Sequence, residues 1–192
     1  GFAAELGVAR PESVEAMARC YCAAIRSRQP VGPYFLGGHS FGGQVAFEMA
    51  QQLLSAGQEV ALLALLDAGP PDRDPHDRPQ VLDEATALSE MAAILGFMSG
   101  RTMDLDPAPL RMLSSDQRMA RFRQTMEAAG LLPRNTDHGY IRGWLAVFLS
   151  NYRSAYHPRP AHRIRPVYFA AAEQPAAVRE KRIQGWLRFT EL

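Results

Sequence analysis

The chain has 192 residues, 47% of them hydrophobic and 21% charged, which suits one folded domain with a sizeable core and excludes a disordered chain. Its 21 basic and 20 acidic residues leave a formal net charge of +1, so no bulk field speaks for a nucleic-acid or membrane partner. All the basic residues but Lys181 are arginines; nothing clusters them into a phosphate site, and their excess reads as genome composition.

From Ser13 to Ser27 the apolar residues Val14, Met17, Tyr21, Ala24 and Ile25 recur at helical spacing, with Ser13 as the N-cap and Pro30 as the stop. Cys20 and Cys22 fall in this helix two residues apart, where side chains do not face each other. No bridge is expected between them, and two cysteines are too few for a metal site. They are read as ordinary packed residues in a reducing, cytoplasmic setting. After the turn at Val31-Gly32-Pro33, Tyr34-Phe35-Leu36 reads as a buried strand. Gly37-Gly38-His39-Ser40-Phe41-Gly42-Gly43 follows, and then a helical pattern through Val45, Phe47, Met49 and Leu53. Ser55-Ala56-Gly57 closes that helix, with Gly57 suited to a left-handed position. Val60 to Leu66 is a continuous apolar run, the signature of a parallel strand covered on both faces. It is far too short to span a membrane. No signal peptide opens the chain. Asp67 ends the run and Ala68-Gly69-Pro70-Pro71 breaks it, so strand, helix and strand form a parallel α/β unit.

Residues 72–160 change character. Helical patterns over Leu82 to Leu95, Ser115 to Ala129 and Ile141 to Ala155 are separated by Pro107, Pro109 and Pro133. A connection this long is an insertion, either a lid or a separate bundle. Its methionines suit an adaptable apolar wall or a plain helical core equally well. Strand character returns at Val167 to Ala171, and a last helical piece, Ala176 to Leu192, carries Trp186. The expected organisation is a core over 1–71, a helical insertion over 72–160 and a return to the core over 161–192.

Gly38-His39-Ser40-Phe41-Gly42 matches Gly-x-Ser-x-Gly, the nucleophile elbow, in which a sharp strand-to-helix turn exposes a serine above a parallel sheet. The flanking glycines are expected to be required because side chains there would strike the neighbouring strand and helix. A bare match arises by chance in roughly one chain in twenty of this length, so the flanking strand and helix carry the assignment. The following helix places the Phe41 backbone N–H near a developing oxyanion. A serine needs a histidine base, itself oriented by a carboxylate, and on this fold the chain order is Ser, acid, His. Asp67, at the C-terminal end of the next strand, is the favoured acid, ahead of a reading as a mere cap for the turn. Glu173, just past Val167 to Ala171, is the rival.

These residues carry a resemblance. Gly32 to Gly43, then Ala46-Phe47-Glu48-Met49-Ala50, Leu65-Leu66-Asp67 and Pro70-Pro71, resemble the type I thioesterase domains of nonribosomal peptide and polyketide synthetases, as do Asn151, Tyr156, Pro158 and Trp186. The resemblance implies an α/β-hydrolase fold with a central parallel sheet and a helical lid over an acyl channel. It makes Ser40 the nucleophile and Asp67 the triad acid, with no metal and no bound cofactor. The substrate would arrive on the phosphopantetheine arm of an acyl or peptidyl carrier protein and leave by hydrolysis or ring closure. A free-standing editing thioesterase and a small-ester hydrolase belong to the same reading.

The family's histidine, in a loop after the last strand, has no counterpart here. His39 is the variable residue of the elbow, with its side chain expected to turn into the scaffold. His76 and His138 fall in the insertion, and His157 and His162 precede the strand Val167 to Ala171, toward the edge away from Ser40. The expectation is a fragment whose base lies beyond Leu192, weakly active or inactive by itself. The other reading is a non-catalytic, hydrolase-like domain that binds a carrier or an acyl chain.

Overall fold

The structure, a computed structural model, describes residues 13–71, 82–154, 156–159 and 164–190. The chain divides into two compact units, one of Gly1–Arg78 with Ser154–Leu192 and one of Pro79–Arg153. The helical unit is thus narrower than 72–160 at both ends.

In the first unit, helix α1 (Val14–Arg26) starts at Ser13, whose hydroxyl accepts from the Ala16 N–H at 3.2 Å, satisfying one of the donors that a helix start leaves free. Its buried face is Val14, Met17, Ala18 and Cys22, while Tyr21 is 45% exposed. The stripe therefore runs through the small residues rather than the expected tyrosine. Strand β1 (Tyr34–His39) leads into helix α2 (Phe41–Ser55), then strand β2 (Val60–Leu66), and after the second unit strand β3 (Val167–Phe169) and helix α7 (Ala176–Leu187). The three strands are parallel, in the order β1-β2-β3, with Leu36 beside Leu63, Gly38 beside Leu65 and Leu65 beside Tyr168.

Partners in parallel register point to one side of the sheet, and the two sides differ. On one, Tyr34, Leu63 and Leu65 are buried with Leu36 and Tyr168 against α1, α2 and Trp186. On the other, Phe35, Leu62, Leu66, Val167 and Phe169 are exposed, Phe35 by 71%. The expectation of strands covered on both faces, and of a buried Tyr34-Phe35-Leu36, therefore holds for one face only: every described helix of this unit lies against the same side. Continuous apolarity along Val60–Leu66 reports what each strand could bury on either face, not which neighbour is there to bury it.

Helix α2 is anchored by a buried carboxylate. Glu48, 8% exposed, accepts from Gln52 Nε2 and from the Tyr156 hydroxyl, each at 2.9 Å. The neighbouring Gln51 donates to the Arg159 carbonyl. These bonds bind residues 156–159 to α2, which is why the helical unit ends at Arg153 and not near 160. Burial, reinforced by the charge of Glu48, pushes the Tyr156 phenol well above its ordinary pKa, so it remains a donor throughout the working range. Tyr156→Phe would leave Glu48 one charge-assisted bond short in an apolar setting. We expect a loss of about 1–3 kcal/mol in unfolding free energy, read from urea denaturation.

The second unit contains α3 (Glu84–Met98), α4 (Pro107–Arg111), α5 (Ser115–Ala128) and α6 (His138–Arg153). Each of the first three begins at a capping side chain: Asp83 accepts from Thr86 N–H, Asp106 from Ala108 N–H, and Ser114 forms a reciprocal capping box with Gln117. The Thr86 N–H bond holds the Asp83 carboxyl below its ordinary pKa. Pro107 and Pro109, read as breakers, lie inside the short α4, where a first-turn proline loses no hydrogen bond. Met91, Met119 and Met126 are buried with Leu88, Phe122 and Ile141, so these methionines serve as helical core; Met98 and Met112 are exposed.

Cys20 is exposed, against the expectation that both cysteines are packed, whereas Cys22 is buried and its Sγ lies 3.7 Å from the Met49 carbonyl oxygen. Burial raises the Cys22 thiol above its ordinary pKa. A maleimide at pH 8 should therefore modify Cys20 readily and reach Cys22 only on unfolding, which mass spectrometry with and without denaturant would measure.

Candidate functional site

Ser40 is the single residue between β1 and α2. It is exposed, with φ 51° and ψ −124°, and its hydroxyl does not cap the helix it precedes. A non-glycine residue at positive φ carries roughly 1–3 kcal/mol of strain, so the surroundings must enforce it. The Ser40 N–H donates to the Leu66 carbonyl of β2 and the Ser40 carbonyl accepts from Gly43 N–H, both at 3.0 Å. Phe41 opens α2, and a first-turn N–H has no acceptor within its helix.

The glycines divide differently from the motif. A Cβ at Gly38 would overlap the Gly42 carbonyl, and one at Gly43 would overlap the Cβ of Ala68, in the loop after β2. At Gly42, the second glycine of Gly-x-Ser-x-Gly, a Cβ meets nothing within 4 Å. The expectation that Gly42 is sterically required is thus overturned: Gly38 and Gly43 hold the close approach, and Gly42 faces open space. Gly43→Ala should destabilise the fold by roughly 1–3 kcal/mol. Gly42→Ala should leave stability within about 0.5 kcal/mol of the parent or raise it. Paired thermal and urea unfolding of the two variants decides between the glycines.

Asp67 follows β2 as Ser40 follows β1. His39 and Leu66 are partners in register, so the two residues stand side by side at the same end of the sheet. Asp67 also has φ 51°, and its N–H donates to the Phe169 carbonyl at 2.7 Å. The three carbonyls that follow β2 each receive a side-chain donor: Arg182 Nη1 reaches Asp67 O at 2.9 Å, Trp186 Nε1 reaches Ala68 O at 2.8 Å, and Gln44 Nε2 reaches Gly69 O at 3.2 Å. Arg182 and Trp186 are one turn apart on α7, and Gln44 is in the first turn of α2. The Asp67 carboxylate is three-quarters buried, and its Oδ1 accepts from Gln174 Nε2 at 2.6 Å and from Arg182 Nη1 at 3.1 Å. Neither bond uses Oδ2.

Glu173, the rival acid, is exposed; its neighbour Gln174 is the residue that reaches Asp67. His39 shares the bare face of the sheet with Leu66 and is exposed, so its side chain is not turned into the scaffold. A strand residue whose registered partner faces solvent must do the same. His157 is exposed, next to Tyr156, whose contact with Glu48 lies about 12 Å along α2 from Ser40. His138 starts α6 in the second unit, and His76 and His162 lie outside the described residues. Among the described residues no histidine hydrogen-bonds to Asp67 or Ser40, and no group of three His, Cys, Asp or Glu side chains could hold a metal ion. A cavity of about 300 Å³ beside β3 is lined by Leu65, Tyr168, Ile183, Trp186 and their neighbours; neither Ser40 nor Asp67 borders it.

Residues 3–139 match the family described as Thioesterase domain. The chain belongs to the thioesterase family. The chain is 27% identical over 175 residues to chondramide synthase cmdD of Chondromyces crocatus, covering 86% of the chain but 4% of that protein. It is 36% identical over 102 residues to a protein of Paxillus involutus named inactive atromentin synthetase invA6, covering 53% of the chain and 10% of that protein. The chain therefore spans only a small part of these relatives. Among solved structures, a four-domain nonribosomal peptide synthetase bound to AMP and glycine superposes with a TM-score of 0.79 at 30% identity, over 93% of the chain and 13% of that structure. RedJ, a thioesterase from the prodiginine pathway of Streptomyces coelicolor, shares the fold with a TM-score of 0.60 at 22% identity, over 94% of the chain and 57% of RedJ. The matches establish an α/β-hydrolase fold. No described helix is long and apolar enough to cross a membrane.

Proposed function

We propose that this thioesterase releases an acyl or peptidyl chain from the phosphopantetheine arm of a carrier protein through an ester at Ser40. The Ser40 hydroxyl oxygen attacks the thioester carbonyl while its proton passes to a histidine base oriented by Asp67. The Phe41 N–H stabilises the oxyanion of the tetrahedral intermediate. Collapse breaks the carbon–sulfur bond, and the leaving thiolate takes the proton back. Water, or a hydroxyl or amine of the chain itself, then attacks the acyl-serine, with release by hydrolysis or ring closure. No bound cofactor enters this sequence. The likeness to a four-domain nonribosomal peptide synthetase supports a carrier protein as the partner. The observation that supports the reading is a strained, exposed serine beside a three-quarters buried aspartate at one end of a parallel sheet.

A second reading is a hydrolase-like domain that binds without turnover. It is favoured by one observation: the described partners of Asp67 are Arg182 and Gln174, not an imidazole. A serine-directed fluorophosphonate separates the two. In the natural-length protein, labelling should be stoichiometric, and Ser40→Ala should abolish it while lowering thioester hydrolysis by roughly 10³-fold or more. A protein that binds carrier yet resists the reagent would establish the second reading.

A further inference from the structure

Five hydrogen bonds converge on the loop after β2, and two of them come from one nitrogen. Arg182 Nη1 donates to both the backbone carbonyl and the Oδ1 of Asp67, at 2.9 and 3.1 Å. A single guanidinium group thus fixes the aspartate's main chain and its carboxylate together, which a lone contact to either would not do. Gln174 occupies the remaining approach to Oδ1 at 2.6 Å. Its own Oε1 is buried without a donor, so the amide is held in the orientation that serves the aspartate at the expense of its other end. Arg182 is itself placed by Trp186, one turn further along α7, which donates to the next carbonyl at 2.8 Å and packs at a tilt on Phe47 of α2 with ring centroids 5.0 Å apart. The side chains of Arg182 and Asp67 are 30% and 25% exposed, so the pair is only partly screened by solvent.

We propose that Arg182, with Gln174, is a positioning residue for the acyl transfer: the two saturate Asp67 Oδ1 and turn Oδ2 toward the base. This deepens the reading of Asp67 as the triad acid and rests on it. An acid with both oxygens free could rotate and offer the base either one. With Oδ1 held from two directions, the base meets one oxygen in one orientation, and small errors of orientation slow such reactions by up to about 10²-fold. The arrangement has an electrostatic signature as well. Arg182 is the described cation in contact with Asp67, and a positive charge behind the carboxylate disfavours protonation of the imidazole in front of it.

The test measures phosphonylation of Ser40 by a fluorophosphonate, with loss of fluoride, against pH in the natural-length protein, for the parent, Arg182→Met, Arg182→Lys and Gln174→Leu. Arg182→Met should slow labelling roughly 10- to 100-fold and move the acidic limb of the profile upward by about 0.5 on the pH scale. Arg182→Lys keeps the charge, but a flexible ammonium arm holds its nitrogen less firmly on the two acceptors than the planar guanidinium does. It should return the limb to the parent position and recover only part of the rate. Gln174→Leu, on a partly exposed turn, should slow labelling several-fold with the limb unmoved, and it carries the test if Arg182→Met does not fold. Parent rates in Arg182→Met and Gln174→Leu, or a slow Arg182→Met whose limb has not moved, would overturn the positioning role. Ser40→Ala and Asp67→Asn run alongside. Labelling that survives Ser40→Ala sinks the acyl-serine reading itself, whereas loss in both controls with unchanged Arg182 variants sinks only this inference.

Discussion

The structure depends on a place where there is no room for a single carbon atom. At Gly38 and Gly43 the end of β1, the first turn of α2 and the loop after β2 come closer than any side chain allows. That contact bends the chain at Ser40 into a conformation that L-residues avoid, and the bend keeps the hydroxyl off the helix it precedes. The same contact brings Ala68 against the helix, and Gln44, one residue past Gly43, then reaches Gly69. Ser40 and Asp67 therefore do not stand on two loops that happen to be adjacent. They are opposite walls of one packed seam, held at each carbonyl by a donor from α2 or α7.

Around that seam the unit is a sheet with a single helical layer. Phe47, Leu53, Leu63 and Leu65 are almost fully excluded from water, each contributing about 1.5–3 kcal/mol through burial, and all lie on the side of α1, α2 and α7. Glu48 is a buried charged side chain in this layer. Its two oxygens are divided between Gln52 of its own helix and Tyr156, so a charged side chain is tolerated because each bond spans a different part of the chain. That division returns the polypeptide to the sheet after the excursion through Pro79–Arg153.

The elbow was legible in the sequence because its chemistry is local: glycine, serine and glycine between an apolar strand and an apolar helix leave few alternatives. The place of Asp67 at the same sheet end was legible for a related reason, since it ends a continuous apolar run. What the sequence concealed depends on neighbours far along the chain. Gly42 fits the motif as well as Gly38, yet only a backbone neighbour in space tells the two apart, and Gly43, outside the five-residue pattern, takes the steric role instead. Tyr21 satisfied the helical period but lost its place to Cys22, because α1 presents small residues where it meets α2. His39 was expected inside because an elbow residue is constrained; strand alternation with Leu66 decided otherwise. Gln174 and Arg182 carry no motif at all. A glutamine in a turn and an arginine in a polar helix are ordinary, and their bond to a residue more than a hundred positions earlier is a property of tertiary structure alone. Trp186 gave the one available signal, as a large aromatic in an otherwise charged helix.

The left-handed backbone at Ser40 limits which chemistry can stand there. At that conformation the carbon next to the backbone tolerates one heavy substituent, but a second would be forced against the preceding carbonyl. Exchanging oxygen for sulfur keeps the branch count, so a cysteine is geometrically admissible, with a softer attacking atom and a lower acidity threshold. Threonine, chemically the nearer analogue, is the disfavoured one. The bend that exposes this position also restricts its repertoire: sulfur can stand in for oxygen there, whereas a methyl group beside it is strained.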